Sequence, residues 1–210
     1  MALSKIVKIN EKLRWALWEI EESGREREQY NSIIKDTDGA LSRISHPQKK
    51  SEFMASRLAL HQLLKQDGQS AYRLSKDKYG KPYLENSPLH ISLAHAYPFA
   101  VAAVSHSPVG IDIEKPSEKL RAVRHKFLHE EEHHFSIHQL DTLCQIWCAK
   151  ESIYKLYGRK KLSFRDHIRV ERIHYPDKPY LQAAVLLNEF QQTYRLKIES
   201  VRDFFILFNV

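Results

Sequence analysis

Two short runs carry the chemistry open to this chain. The first is Gly110-Ile111-Asp112-Ile113-Glu114. On a strand, alternate side chains share a face, so Asp112 and Glu114 point one way and Ile111 and Ile113 point the other, toward a core. Two carboxylates about 7 Å apart along one strand face repel each other. A hard divalent cation such as Mg²⁺ relieves that repulsion. The competing reading is the solvated face of an amphipathic strand. The second run is Trp147-Cys148-Ala149-Lys150-Glu151-Ser152-Ile153-Tyr154-Lys155. Glu151 and Lys155 stand four apart, in the favourable order for a helical surface pair worth about 0.3–0.5 kcal/mol. The alternative makes Glu151 a third metal ligand or a base, and Lys155 a phosphate partner. Both lie about 40° and 80° around the helix from Trp147, at the flank of the apolar stripe.

A third run, His129-Glu130-Glu131-Glu132-His133, fits H-E-x-x-H. On a helix that pattern binds zinc through two histidines and uses the glutamate as base. Here it is polar throughout, and its glutamates also suit the positive end of a helix start. Lys49, Lys50, Arg57, Lys81 and His95 are a scatter of cationic candidates for phosphates; singly, each reads as a solvated surface charge. The glycine-rich nucleotide loops and the Gly-x-Ser-x-Gly elbow are absent. Cys144 and Cys148 lack partners for zinc and read as core residues. With two cysteines, a disulfide scaffold is excluded and a reducing cytoplasm is expected.

These residues need elements to position them. Residues 13–20 read as a strand, followed by a polar helical stretch to Ile34 and a turn at Asp36–Gly39. His46-Pro47 opens a strong helix whose apolar side is Phe53, Leu58, Leu60, Leu63 and Leu64, and Asp67-Gly68 ends it. Residues 70–90 read as loop and short strand. Leu89–Ala94, Phe99–Ser105 and Val109–Ile113 read as adjacent strands, the first two as a hairpin. Residues 118–158 look helical, best over 139–157, where Leu140, Leu143, Trp147, Tyr154 and Tyr157 fall on one face before the stop at Gly158. Strands follow at His167–His174, Tyr180–Leu187, Thr193–Ser200 and Phe204–Val210. The order predicts an α+β fold, read as two similar units, residues 1–107 and 108–210.

The combined motifs resemble the 4′-phosphopantetheinyl transferase signature: Gly110, an aliphatic residue, Asp112 and Glu114 one apart, then Trp147, Lys150, Glu151, Ser152 and Lys155. Gly80-Lys81-Pro82, the strand Leu89–His95 and Phe127-Leu128-His129-Glu130-Glu131-Glu132 extend the likeness over about residues 46–165. The chain length and the mid-chain Gly-Ile-Asp resemble the monomeric, two-lobed Sfp-type members. The resemblance implies two pseudo-symmetric lobes, each a small, mostly antiparallel sheet packed with helices, with coenzyme A in the cleft between them. It implies an N-terminal lobe (1–107) that contacts the coenzyme A phosphates and a C-terminal lobe (108–210) with metal carboxylates and catalytic helix. Asp112, Glu114 and Glu151 would hold Mg²⁺, and Lys155 would contact phosphates and aid the leaving group. Arg57, Lys81 and His95 would face the 3′-phosphate or pyrophosphate, with Lys49 and Lys50 as looser candidates. Glu151 is the first candidate for base and Glu132 the second. Ala94 departs from the family's serine before histidine.

The implied reaction moves phosphopantetheine from coenzyme A to a serine of an apo acyl or peptidyl carrier protein, releasing 3′,5′-ADP. Carrier proteins of this kind are acidic, and a net charge of +7 would steer the chain toward one. No nucleic-acid or membrane partner is expected: aromatic-basic interleaving is missing, and no apolar run approaches the ~20 residues of a membrane span. The start shows no signal-peptide pattern. Two alternatives stand beside this reading: a zinc hydrolase built on His129, Glu130 and His133, and a family member that binds without turnover.

Overall fold

The computed structural model describes residues 3–20, 28, 30–31, 33, 39–69, 71–136, 139–159, 161–174 and 180–210. The chain forms two compact units, residues 1–76 with 82–108, and residues 77–81 with 109–210. Residues 36–38 of the expected turn and most of the helical stretch to Ile34 fall outside the described residues; Gly39 closes the turn region at φ +62°, and Tyr30 is helical and buried.

In the first unit, β1 (Leu3–Lys8), β2 (Leu13–Glu19), β5 (His90–Ala96) and β6 (Phe99–Ser105) form an antiparallel sheet in the order β1-β2-β6-β5. β6 reads Phe-Ala-Val-Ala-Ala-Val-Ser and is buried along its whole length. Its alanines let α1 (Pro47–Gln66) pack closely against β6, β2 and β5. The helix starts at Pro47 because proline's fixed φ suits a first turn, and it ends at Asp67 before Gly68 at φ +72°. Leu58, Leu60, Leu63 and Leu64 are fully buried, each worth roughly 1.5–3 kcal/mol. β3 (Leu74–Lys76) and β4 (Pro82–Leu84) pair as a small hairpin.

In the second unit, β7 (Ile111–Glu114), β8 (Ile168–His174), β9 (Tyr180–Leu187), β10 (Phe190–Val201) and β11 (Phe204–Asn209) form an antiparallel sheet in the order β7-β11-β10-β9-β8. The helical region is broken, not continuous: α2 (Glu118–Val123), 3₁₀ turns at Arg124–Lys126 and Glu130–Glu132, α3 (His133–Ser136) and α4 (Leu140–Tyr157). α4 packs on β11 and β7. It ends at Gly158, whose φ of +67° closes the last turn through an N–H donated to the Tyr154 carbonyl.

The α+β class and the two-unit, sheet-plus-helix architecture expected from sequence are present. Besides the broken helical region, three local expectations are corrected. β1 was not anticipated; it is a half-buried edge strand. β7 is not adjacent to β6: it pairs with the C-terminal β11 in the other sheet. The face of α4 expected to be buried is so only at Leu143; Leu140, Trp147, Tyr154 and Tyr157 are partly buried. Burial extends around most of the helix: Leu143 is 1% exposed, and Cys144, Ile146, Cys148, Ala149 and Ile153, on different sides of it, are all at 0%.

Candidate functional site

The site begins at a glycine. A β-carbon on Gly110 would lie 2.0 Å from the Ser152 carbonyl oxygen and 2.8 Å from the Leu156 nitrogen. The chain entering β7 therefore runs against the backbone of α4, and no larger residue fits there unless one of them moves. Ser152 secures the contact from the helix side: its hydroxyl donates to the Cys148 and Leu207 carbonyls (2.9 and 2.8 Å). β7 pairs with β11, Asp112 opposite Leu207 and Glu114 opposite Phe205. Ile111 and Ile113 enter the core as the alternation requires.

Asp112 is itself 5% exposed, which sets aside the solvated-face reading. The Lys155 ammonium donates to Asp112 Oδ1 at 2.6 Å and to the Ile111 carbonyl at 3.3 Å. Lys155 thus bridges α4 to β7 and is more than a surface partner of Glu151. Asp112 Oδ2 is buried without a hydrogen-bond partner. Glu114 accepts from Trp147 Nε1 at 3.0 Å, which joins the two sequence runs directly.

Burial pushes the Glu114 and Glu151 carboxyls up to about 7, and the neighbouring Asp112 charge adds to the effect in both. Burial also pushes Asp112 up, against the opposing pull of Lys155. For Lys155 burial works downward, but Asp112 and Glu151 outweigh it and raise the ammonium above its usual value. Three carboxyls thus lie about the Lys155 ammonium, with Lys119 acting on Glu114 besides, and burial still leaves all three raised. Hard oxygen donors and an orphaned Asp112 Oδ2 are what a divalent cation completes. As placed, however, no three His, Cys, Asp or Glu side chains among the described residues stand close enough to hold a metal ion. Trp147 holds Glu114, and Lys155 takes Asp112 Oδ1.

The other sequence-selected residues fall in several places. Glu132 is completely buried, paired with Lys150 at 2.7 Å and accepting from the backbone N–H groups of His129 and Val170. Lys150 also donates to the carbonyls of Phe127, Phe164 and Ile168. Lys81 sits in a turn held by Asp77, whose carboxylate accepts from the Tyr79 and Lys81 N–H groups (2.8 and 2.9 Å). Its ammonium donates to the Leu156 carbonyl at 3.1 Å, one residue past Lys155. Arg57 lies over the Phe53 ring, 3.2 Å from its centroid, and donates to the Phe53 carbonyl and Ser56 Oγ. Lys49 and His95 meet at Glu52, 2.6 and 3.2 Å from its Oε2. Lys50 is half-buried on α1. Ala94 is buried on β5, beside His95.

Sequence reasoning missed Glu52, Asp77 and the packing role of Gly110. The charge spacing Lys49–Glu52 was the one available signal for Glu52. The zinc reading is not favoured. Glu130–Glu132 form a 3₁₀ turn, not the α-helix that would align two histidines, and His129 caps it by accepting from the Glu131 N–H at 3.2 Å. Cys144 and Cys148 are free and buried, and burial pushes both thiols far up, which makes them inert core residues as expected.

Comparison with known proteins supplies independent evidence. A family model for the 4′-phosphopantetheinyl transferase N-terminal domain matches residues 38–105. The 4′-phosphopantetheinyl transferase superfamily model matches residues 108–205. The 4′-phosphopantetheinyl transferase gsp of Aneurinibacillus migulanus is 34% identical over 89 residues, 40% of this chain and 37% of that protein. The 4′-phosphopantetheinyl transferase Sfp of Bacillus subtilis is 29% identical over 96 residues, 43% of each. The chain thus spans about two fifths of the length of these curated relatives. The two models follow one another in chain order, and the Asp112–Lys155 pair lies within the second. By these matches, the chain belongs to the 4′-phosphopantetheinyl transferase superfamily.

Proposed function

We propose that this protein is an enzyme that transfers the 4′-phosphopantetheine group from coenzyme A to a serine of an apo acyl or peptidyl carrier protein, releasing 3′,5′-ADP. It would act as a cytoplasmic monomer with Mg²⁺. The observation that carries the reading is the Asp112–Lys155 bridge beside Glu151 and Glu114, with one Asp112 oxygen buried and unpartnered. The relatives named above are named 4′-phosphopantetheinyl transferases, which supports the transfer of that group.

Asp112, Glu114 and Glu151 are assigned to the divalent ion, which when bound neutralises a pyrophosphate that would otherwise repel a nucleophile. Lys155 takes the phosphate oxygens and stabilises the charge gained by the departing 3′,5′-ADP. The serine oxygen forms a bond to the phosphorus bearing the pantetheine arm. The pyrophosphate P–O bond breaks, and its electron pair leaves with 3′,5′-ADP. The serine proton passes to Glu151 through one water. Glu132 is set aside as base because Lys150 and two backbone N–H groups enclose it. Arg57, Lys81, His95, Lys49 and Lys50 are assigned to the coenzyme A phosphates. The net charge of +7 supports an acidic carrier as partner, with an on-rate that falls with salt.

The test is mass spectrometry of a panel of apo carrier proteins after incubation with coenzyme A and Mg²⁺. A phosphopantetheine mass gained on a serine is expected. No gain on any carrier would overturn the reading, and coenzyme A binding without transfer would leave a binding-only family member.

A further inference from the structure

Two of the cationic candidates of the first unit, Lys49 and His95, meet a residue of opposite charge. Glu52 lies on α1 and is only 1% exposed. A carboxylate so buried is costly unless several donors meet it. Three side chains do: Gln48 Nε2 on Oε1 at 2.9 Å, Lys49 Nζ on Oε2 at 2.6 Å, and His95 Nδ1 3.2 Å from the same Oε2. Two of the three are residues that sequence reasoning picked for phosphate, and one of these comes from a different element, β5. Their exposure is graded outward: Glu52 buried, His95 37% exposed, Lys49 58% exposed. A buried carboxylate behind a partly exposed imidazole is how proteins fix a ring's direction.

We infer that Glu52 is a positioning residue for coenzyme A: buried in α1, it holds His95 and Lys49 in place to receive the phosphates of its nucleotide end. This rests on the transferase reading above. Glu52 itself touches no phosphate; its charge would repel one, and it acts only through Lys49 and His95 in front of it. A purely structural Glu52 would stabilise α1 and leave ligand affinity alone, so the two roles separate by measurement.

The test measures adenosine 3′,5′-bisphosphate binding by calorimetry and the KM for coenzyme A, on protein shown by thermal unfolding to be folded. Glu52→Gln keeps the shape and removes the charge. It is expected to weaken binding and raise KM about tenfold, with kcat at saturating coenzyme A reduced less than about threefold. Glu52→Asp keeps the charge at shorter reach and should fall between; it serves alone if Glu52→Gln does not fold. In a His95→Ala, Lys49→Met background, Glu52→Gln should add less than about twofold, because the groups it positions are gone. Wild-type affinity in Glu52→Gln or Glu52→Asp, or a full additional penalty in that background, would overturn the inference while transfer by the wild type left the transferase reading intact. A wild type that binds the bisphosphate but labels no carrier would sink the transferase reading alone. A wild type that does not bind the bisphosphate overturns the inference outright.

Discussion

Gly110 and Ser152 are in backbone contact, with room for a hydrogen but not a methyl group: a β-carbon at position 110 would sit 2.0 Å from the Ser152 carbonyl oxygen. The obstructing atom is helix backbone and cannot swing aside. Gly110→Ala should therefore push β7 off α4 and cost roughly 1–3 kcal/mol of stability. It should also weaken the Asp112–Lys155 bridge, now 2.6 Å. Urea unfolding and carrier labelling check both. Wild-type stability would show that the strand does not need this close approach.

The Glu132–Lys150 pair is buried at both ends, 2.7 Å apart. Removing one partner strands the other charge in the core, so Lys150→Met and Glu132→Gln should each lower the unfolding free energy by about 3–5 kcal/mol. Their combined loss should be smaller than the sum, since the second substitution removes a charge already stranded. Fully additive losses in denaturant titrations would contradict the pairing.

Glu52 makes a pH prediction. Burial pushes its carboxyl up, but hydrogen bonds from Lys49 and Gln48 and the charges of His95 and Lys49 outweigh burial and hold it below the usual value. A carboxyl held low in the folded chain takes up its proton more readily once unfolded. Its contribution is thus complete above about pH 4.5, the ordinary value, and is lost as pH falls through the lower folded value. Stability curves of the wild type and Glu52→Gln should run apart at neutral pH and converge in acid. Parallel curves down to pH 3 would contradict it.

These cases show where sequence is legible. Asp112, Glu114, Glu151 and Lys155 could be found because the spacing that makes a strand face and a helix turn is local. Gly110 was quoted with them, but its reason is an approach by a helix some forty residues later in the chain, which no local pattern encodes. β7 follows β6 closely, so pairing between them was the natural expectation; its actual partner, β11, comes from the end of the chain. β1 was hidden because an edge strand carrying Lys5 and Lys8 shows no strong alternation. The burial of Glu132, taken as the second candidate base, and of Lys150 was not legible, because the carbonyls and N–H groups that satisfy them come from Phe127, Phe164, Ile168 and Val170, remote in sequence from at least one of the pair.

The central claim is that Asp112, Glu114 and Glu151 serve one divalent ion. Mn²⁺ can report on it as a hard stand-in for Mg²⁺, followed by electron paramagnetic resonance with coenzyme A present. The wild type should bind a single equivalent, and Asp112→Asn or Glu151→Gln should weaken binding at least about tenfold while remaining folded. Mn²⁺ binding unchanged in both variants would contradict the account.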